Sequence, residues 1–232
     1  MVWDLISKGL RKPRRIPRYL YWKIKPLLLQ YYYRIKLGTK TFKFQGHIYN
    51  YFCHRHNTTW NNERAVEVPI VWKIVKNYRG RVLEIGNVLP NYYPVTHNIV
   101  DKYEKAKGVI NQDVVDFRPL EYYDLAVSIS TMEHVGWDEK PREPSKILRA
   151  LDNLKSNCLK SGGKMVITLP LGYNSEIDKL LNLSLINLGK QYYLKRVSKH
   201  KWVEVGWDDV RNVKYNIPFP GANGIIVSVF EK

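Results

Sequence analysis

The feature that most constrains this 232-residue chain is a set of short strands that are apolar on both faces. They are Arg81–Ile85 (RVLEI), His97–Val100 (HNIV), Asp124–Ile129 (DLAVSI) and Lys164–Leu169 (KMVITL). A sheet with one wet face would alternate apolar and polar residues, whereas strands covered on both faces read as continuous apolar runs. Amphipathic segments lie between them. Residues 62–78 repeat Ala65, Val66, Ile70, Ile74 and Val75 at helical spacing, with Pro69 inside. Residues 144–159 do the same with Ile147, Leu148, Leu151 and Leu154, and Ser161-Gly162-Gly163 then makes a turn. Two further strands, 191–198 and 224–231, close the chain, and Gly108–Asn111 (GVIN) is a short one. The expected fold is therefore α/β: a Rossmann-like, mostly parallel sheet with helices on both faces.

Charge divides the chain differently. The net charge is +17, yet residues 1–50 hold twelve Lys or Arg and a single acid, Asp4. This basic N-terminal extension is also aromatic, with Trp3, Tyr19, Tyr21, Trp22 and Tyr31 to Tyr33. Rings and lysine stems suit an anionic membrane interface, and the same mixture suits nucleic acid or a solvated helix packed on the domain. Pro13, Pro17 and Pro26 predict short pieces there instead of one long helix, and residues 41–52 predict a hairpin or an extended strap. The expected organisation is an extension over 1–50 and a Rossmann-like domain over 51–232. Hydrophobic residues at 44% exclude wholesale disorder, and no apolar run reaches the ~18 residues of a spanning helix. Two cysteines, Cys53 and Cys158, are too few for a disulfide framework and fit a reducing compartment.

In open parallel sheets ligands bind beyond the carboxyl ends of the strands. The residues there are Glu84, Gly86 and Asn87 after the first strand, Asp101 after the second, and Asp113 with Val114 after the short third. A glycine at a strand end admits a ligand to the backbone, and a carboxylate at the next end can accept both hydroxyls of a ribose. Asp113 is placed to accept from an exocyclic amine, with Val114 against a base plane. GNVLPN lacks the GxGxxG pattern of nicotinamide enzymes. No His, Cys or Asp cluster has metal spacing, so no metal is expected, and GxSxG is absent.

Five segments together resemble the class I S-adenosylmethionine-dependent methyltransferases: VLEIG at 82–86, NIVDKYE at 98–104, NQDVVDF at 111–117, YDLAVSISTMEHVGW at 123–137 and LKSGGKMVITLP at 159–170. The resemblance covers about residues 60–232 and is of the compact, small-molecule type. It implies S-adenosyl-L-methionine as cofactor and an antiparallel C-terminal strand pair. It further implies Glu84, Gly86 and Asn87 on the methionine side, Asp101 at the ribose, Asp113 and Val114 at the adenine, and Ser130 among the residues lining the sulfonium side. Val88 and Pro90 stand where the family usually has glycines, and the connection 86–97 leaves room for only a turn or two of helix.

Methyl transfer needs alignment of donor and acceptor, and a base where the acceptor must lose a proton. Glu133 and His134, just past the fourth strand, are the expected catalytic pair. His134 reads equally as a helix cap or as a histidine bonded to a carbonyl. Trp60, within the polar segment 57–64, and Tyr173 with Asn174, after the fifth strand, are the expected acceptor contacts. The expected function is methyl transfer to a small or membrane-associated acceptor, such as a sugar or lipid-linked glycan, by a cytoplasmic protein peripheral at the inner face of the membrane through residues 1–40. The competing readings are a nucleic-acid methyltransferase and a non-catalytic membrane-binding protein on the same scaffold. Against the former, Ser130-Thr131-Met132-Glu133 replaces the Asn/Asp-Pro-Pro-aromatic tetrapeptide of amino-directed nucleic-acid enzymes.

Overall fold

A computed structural model describes residues 18–232. The expectations that fall on residues 1–17, including Trp3, Pro13 and Pro17, lie outside the described residues.

Eight strands form one sheet in the order β5-β4-β3-β6-β7-β10-β8-β9. They are β3 (Val82–Ile85), β4 (Asn98–Val100), β5 (Val109–Ile110), β6 (Tyr123–Ile129), β7 (Leu159–Pro170), β8 (Lys190–Ser198), β9 (Lys201–Val205) and β10 (Gly224–Glu231). Strands β5, β4, β3, β6 and β7 are mutually parallel, and β10 inserts antiparallel between β7 and β8. From β3 the chain winds outward through β4 and β5, then returns to the other side of β3 as β6. The β3–β6 boundary is thus a topological switch point, where an open α/β sheet leaves a crevice. This is the expected Rossmann-like sheet with its antiparallel C-terminal pair.

Two cores follow from the two-sided strands. Along β6, Leu125, Val127 and Ile129 face one core while Ala126 faces the other. The first core is covered by α3 (Lys146–Asn153) and α4 (Ser175–Asn182) through Ile147, Ala150, Leu151, Ile177 and Leu181. The second is covered by α2 (Arg64–Val75) through Ala65, Val66, Ile70 and Val71. Pro69 does not break α2. It removes the N–H that Ala65 O would accept, and the Phe52 N–H donates to that oxygen instead, at 2.9 Å.

That bond ties the N-terminal region to the body. The hairpin β1 (Thr41–Phe44) and β2 (His47–Asn50) buries Phe42 and Phe44 in the second core with Leu37. Residues 37–50 therefore share the core of residues 51–232, and a boundary at 50 separates no two cores. The helix α1 (Arg18–Gly38) runs unbroken through Pro26, against the expectation of short pieces. Its Tyr33 ring stacks on Trp60 and Leu37 is buried, so packing along one side outweighs the hydrogen bond that proline removes.

Three other elements differ from the sequence reading. The 144–159 helix is α-helical only to Asn153 and closes in a π turn over Leu154–Cys158. The Ser161-Gly162-Gly163 turn lies inside β7 as an irregularity: Tyr123 pairs with Leu159 but Leu125 pairs with Lys164. Strand β9 and helix α4 were not anticipated; Asn174, whose side chain accepts from Glu176 N and Ile177 N, is the local signal that starts α4. As expected, the β3–β4 connection holds only a helical turn, Leu89–Asn91, and β5 is two residues long.

Candidate functional site

Beyond the carboxyl ends of β3, β4, β5 and β6 lies a cavity of about 470 Å³. Gly86, Asn87, Asp101, Asp113 and Val114 all line it, with Ile85, Val88, Val100 and Val135 as apolar wall. A second cavity of about 430 Å³ adjoins it, lined by Asn61, Asn62, Arg64, Ser130, Glu133, Tyr173 and Tyr215. His134 lines both.

The floor of the first cavity is held by Glu84, which is fully buried and lines neither cavity. Its Oε1 accepts from Val88 N at 3.0 Å and Leu89 N at 2.7 Å, and its Oε2 lies 2.7 Å from His97 Nε2. A carboxylate at the start of the Leu89–Asn91 turn satisfies N–H groups that would otherwise be orphaned. The loop is thus fixed from below by Glu84, which is how it dispenses with glycines at 88 and 90. Both Glu84 oxygens are engaged within the protein, so its part is to orient the loop.

Gly86 has φ +87°, a conformation that favours glycine, and an added Cβ would drive into the Thr131 side chain. Asp101 Oδ1 accepts from Tyr103 N and Glu104 N, both at 2.8 Å, and Oδ2 accepts from Asn87 N at 3.2 Å. A carboxylate offers about four lone pairs, and these three bonds leave Oδ2 able to accept once more toward the cavity. Asn87 Nδ2 donates to Glu104 Oε1 at 2.7 Å, which braces the same rim.

Asp113 is placed differently from the sequence reading. Its Oδ2 receives Lys146 Nζ at 2.5 Å and Lys102 Nζ at 2.9 Å, and both lysines also meet Glu139, at 2.6 and 2.9 Å. Burial pushes the Asp113 carboxyl up, but the two ammonium groups and Val115 N outweigh it and hold it at about 2. The residue lines the cavity as one corner of a neutral four-residue ring, not as a free acceptor for an amine. Sequence reading missed Lys102, Glu139 and Lys146, because three charged residues spread over 45 positions carry no local pattern.

The first cavity fits a nucleoside with an attached amino acid in size and wall character. Asp101 supplies an acceptor for hydroxyls, Val114 and Val100 supply apolar surface, and Gly86 supplies a strand end without a side chain.

Ser130 belongs to the second cavity. It adopts φ +37°, a strained value for a residue with a Cβ, and donates from Oγ to Glu67 Oε1 at 2.6 Å. Arg64 fixes the end of β6 from the same side, donating to Ile129 O at 2.8 Å, Ser130 O at 3.3 Å and Glu67 Oε2 at 3.1 Å. Burial pushes the Glu67 carboxyl up, against the lowering effect of Arg64. Arg64 ends the polar segment 57–64, but Glu67, one helical turn further on α2, carries no sign of a site in the sequence; their i,i+3 spacing is the available signal.

Of the two expected catalytic residues, His134 stands at the junction and Glu133 lines the second cavity. His134 is half exposed, with Nδ1 2.5 Å from Asp138 Oδ2 and Nε2 3.6 Å from Glu133 Oε1. Tyr173 packs edge-on to the His134 ring and donates from its hydroxyl to the same Asp138 oxygen at 2.7 Å. Those two hydrogen bonds outweigh burial and hold the Asp138 carboxyl below its ordinary value. With Nδ1–H donating to Asp138, Nε2 is left as the acceptor. Asp138, four residues after His134, is the partner the sequence reading overlooked. Glu133 is 1% exposed, its Oε2 has no hydrogen-bond partner, and burial raises its carboxyl well above the usual range.

Two expected acceptor contacts have structural roles instead. Trp60 is 2% exposed, stacks on Tyr33 and lines neither cavity. Asn174 caps α4 and donates from Nδ2 to Glu133 O at 2.9 Å, positioning the Glu133 backbone. Tyr173 lines the second cavity. Among the described residues, no group of three His, Cys, Asp or Glu is arranged as metal ligands.

No family model matches the chain, and no curated protein matches it. Among solved structures it is similar to the N-methyltransferase NodS from Bradyrhizobium japonicum in complex with S-adenosyl-L-homocysteine, at 12% identity and TM-score 0.45 over 73% of this chain and 87% of that one. It is also similar to an rRNA methylase from Escherichia coli, at 14% identity and TM-score 0.40 over 77% of this chain and 68% of that one. A third is the sugar N-methyltransferase KedS8 from a Streptoalloteichus species, at 12% identity and TM-score 0.36 over 72% and 87%.

Proposed function

We propose that this chain is an S-adenosylmethionine-dependent methyltransferase that works across the wall between its two cavities. The observation that carries this reading is the position of His134, which lines both cavities at the switch-point end of the sheet. A transfer between two bound molecules needs two adjoining compartments and a group at their junction, and a simple binding scaffold needs neither. S-adenosylmethionine, when bound, supplies an electrophilic sulfonium methyl and departs as the thioether.

In this reading the chain's own residues do three things. Asp101 and the Gly86 strand end hold the nucleoside, with Val114 and Val100 against its base. His134 accepts at Nε2 the proton that the acceptor loses, while Asp138 fixes its ring from Nδ1. Glu67, Arg64 and Ser130 hold the end of β6 so that His134 stays at the junction. Isothermal titration with S-adenosylhomocysteine tests the first of these directly. Binding in the micromolar range, weakened at least about tenfold by Asp101→Ala, is expected from the loss of a charged hydrogen-bond acceptor. No binding by the wild-type protein would remove the enzymatic reading.

We place the acceptor, or the whole reaction, at an anionic membrane. Support comes from α1, whose Ile24, Leu27, Leu28, Tyr31 and Ile35 are exposed and fall within an arc of about 100°. Leu29, Tyr33 and Leu37 pack toward the body from the opposite side. An outward apolar stripe on a chain segment so rich in Lys and Arg matches an interfacial helix. No described helix is long and apolar enough to cross a membrane. Co-sedimentation with phosphatidylglycerol vesicles, weakened by salt and by Tyr31→Glu with Ile35→Glu, is the expected result. Equal recovery with neutral vesicles would sink this placement.

A further inference from the structure

The second cavity has a chemical bias that the methyl-transfer reading does not require. Two acceptor atoms in its lining are buried and bonded to nothing: Glu133 Oε2 and Asn61 Oδ1. Buried polar atoms are almost always satisfied, and each orphan costs about 1–3 kcal/mol, so a pair carried by two residues that line one cavity marks a place where a ligand completes the set. Glu133 is itself 1% exposed, so bulk water does not supply the missing partner.

The cations around the cavity are not available to an anion. Among the described lining residues the permanent cation is Arg64, and its guanidinium is committed to Glu67, Ile129 O and Ser130 O. His134 is held by Asp138. Glu63, also in the lining, accepts from Ala222 N at 2.9 Å and adds a further carboxylate. An anionic ligand would therefore meet two carboxyl groups and no uncommitted positive charge. The Tyr173 and Tyr215 rings, edge to face at 5.1 Å, supply the apolar contact.

We infer that the second cavity binds an acceptor that presents at least two hydrogen-bond donors and no negative charge, with Glu133 Oε2 and Asn61 Oδ1 as its anchoring atoms. A polyol and an amine share that chemistry. The inference rests on the second cavity being the acceptor side of the proposed reaction. It is tested by binding alone, so that failure of cofactor binding and failure of this assignment show separately.

The experiment is ligand-observed NMR on the full chain with four probes of one size: methyl α-glucopyranoside, glucosamine, glucuronate and glucose 6-phosphate. The neutral and cationic probes are expected to bind, and the two anions to bind at least about tenfold more weakly, the cost of setting an anion against acceptor oxygens with no uncommitted cation beside them. Glu133→Leu and Asn61→Leu are each expected to weaken the binding probes about tenfold. Glu133→Gln keeps one acceptor oxygen but cannot ionise, so it separates the two sources: glucosamine, whose ammonium favours the ionised carboxyl, loses affinity and the methyl glucoside largely keeps it. Retained S-adenosylhomocysteine binding, or an unchanged circular dichroism spectrum, shows that each variant is folded. The assignment is overturned if an anion binds as tightly as its neutral counterpart, if neither donor-bearing probe binds at tens of millimolar, or if folded Leu variants bind both unchanged.

Discussion

The first cavity comes with its carboxyl groups already held by donors of the protein, whereas the second keeps buried acceptors without any. Around the first, Asp101 takes three backbone N–H groups, Glu84 takes two and a histidine, and Asp113, Glu139, Lys102 and Lys146 neutralise one another. Around the second, Glu133 and Asn61 each bury an oxygen without a partner. The contrast has a physical meaning. A compartment whose polar groups are satisfied is preorganised and holds its shape before a ligand arrives. A compartment with orphaned acceptors is incomplete until one does, and it selects its ligand by what that ligand donates. Such an arrangement suits a common cofactor on one side and a discriminated acceptor on the other.

The sharpest way to break this comparison is at the shared wall. His134→Ala is expected to lower kcat by about 10²–10⁴-fold with S-adenosylhomocysteine affinity little changed. Measured by methyl transfer and calorimetry together, full turnover in this variant would remove His134 from the chemistry. Asp138→Asn frees the imidazole without removing it, and a fall in kcat of about tenfold with unaltered donor affinity is expected, a part of what the base contributes. A change confined to donor affinity would instead assign Asp138 to the first cavity.

Gly86→Ala tests the preorganised side. It places a Cβ against Thr131 at φ +87°, so a stability loss of about 1–3 kcal/mol in urea unfolding and weaker S-adenosylhomocysteine binding are expected. An unchanged unfolding midpoint would mean that this strand end is more pliable than described.

The smallest effect is expected from Lys102→Met. Asp113 is held at about 2 against an ordinary 3.8, so the stability contributed by its ring is fully present above about pH 4 and is lost as pH falls toward 2. Lys102 is about one-third exposed, which limits its share to under about 1 kcal/mol. The variant's acid unfolding curve should accordingly begin at slightly higher pH, and a curve that starts lower would reverse the sign of the argument.

How much of this was legible beforehand depends on the residue. Strand tips were readable: Gly86, Asp101, Asp113 and Val114 follow short apolar runs, and they do converge on one cavity. Ser130 follows one too, yet it faces the other cavity, because its positive φ turns the chain as β6 ends. Trp60 in a polar segment resembled a ligand contact and is instead the stacking partner of a helix more than twenty residues earlier. Asp138 stood four residues from His134 and was overlooked, since the spacing becomes a contact only once the chain turns there.

The sequence by itself determined the layered architecture, because two-sided apolar strands leave a sheet no face to expose, and it determined where along the chain the site would lie, because ligands in such sheets gather at strand ends. Tertiary structure alone decided which polar groups were left over. Whether a carboxylate is free, as at Glu133, or already answered, as at Glu84 and Asp113, depends on donors brought from distant parts of the chain, and hydrogen bonds form between neighbours in space whatever their separation in sequence.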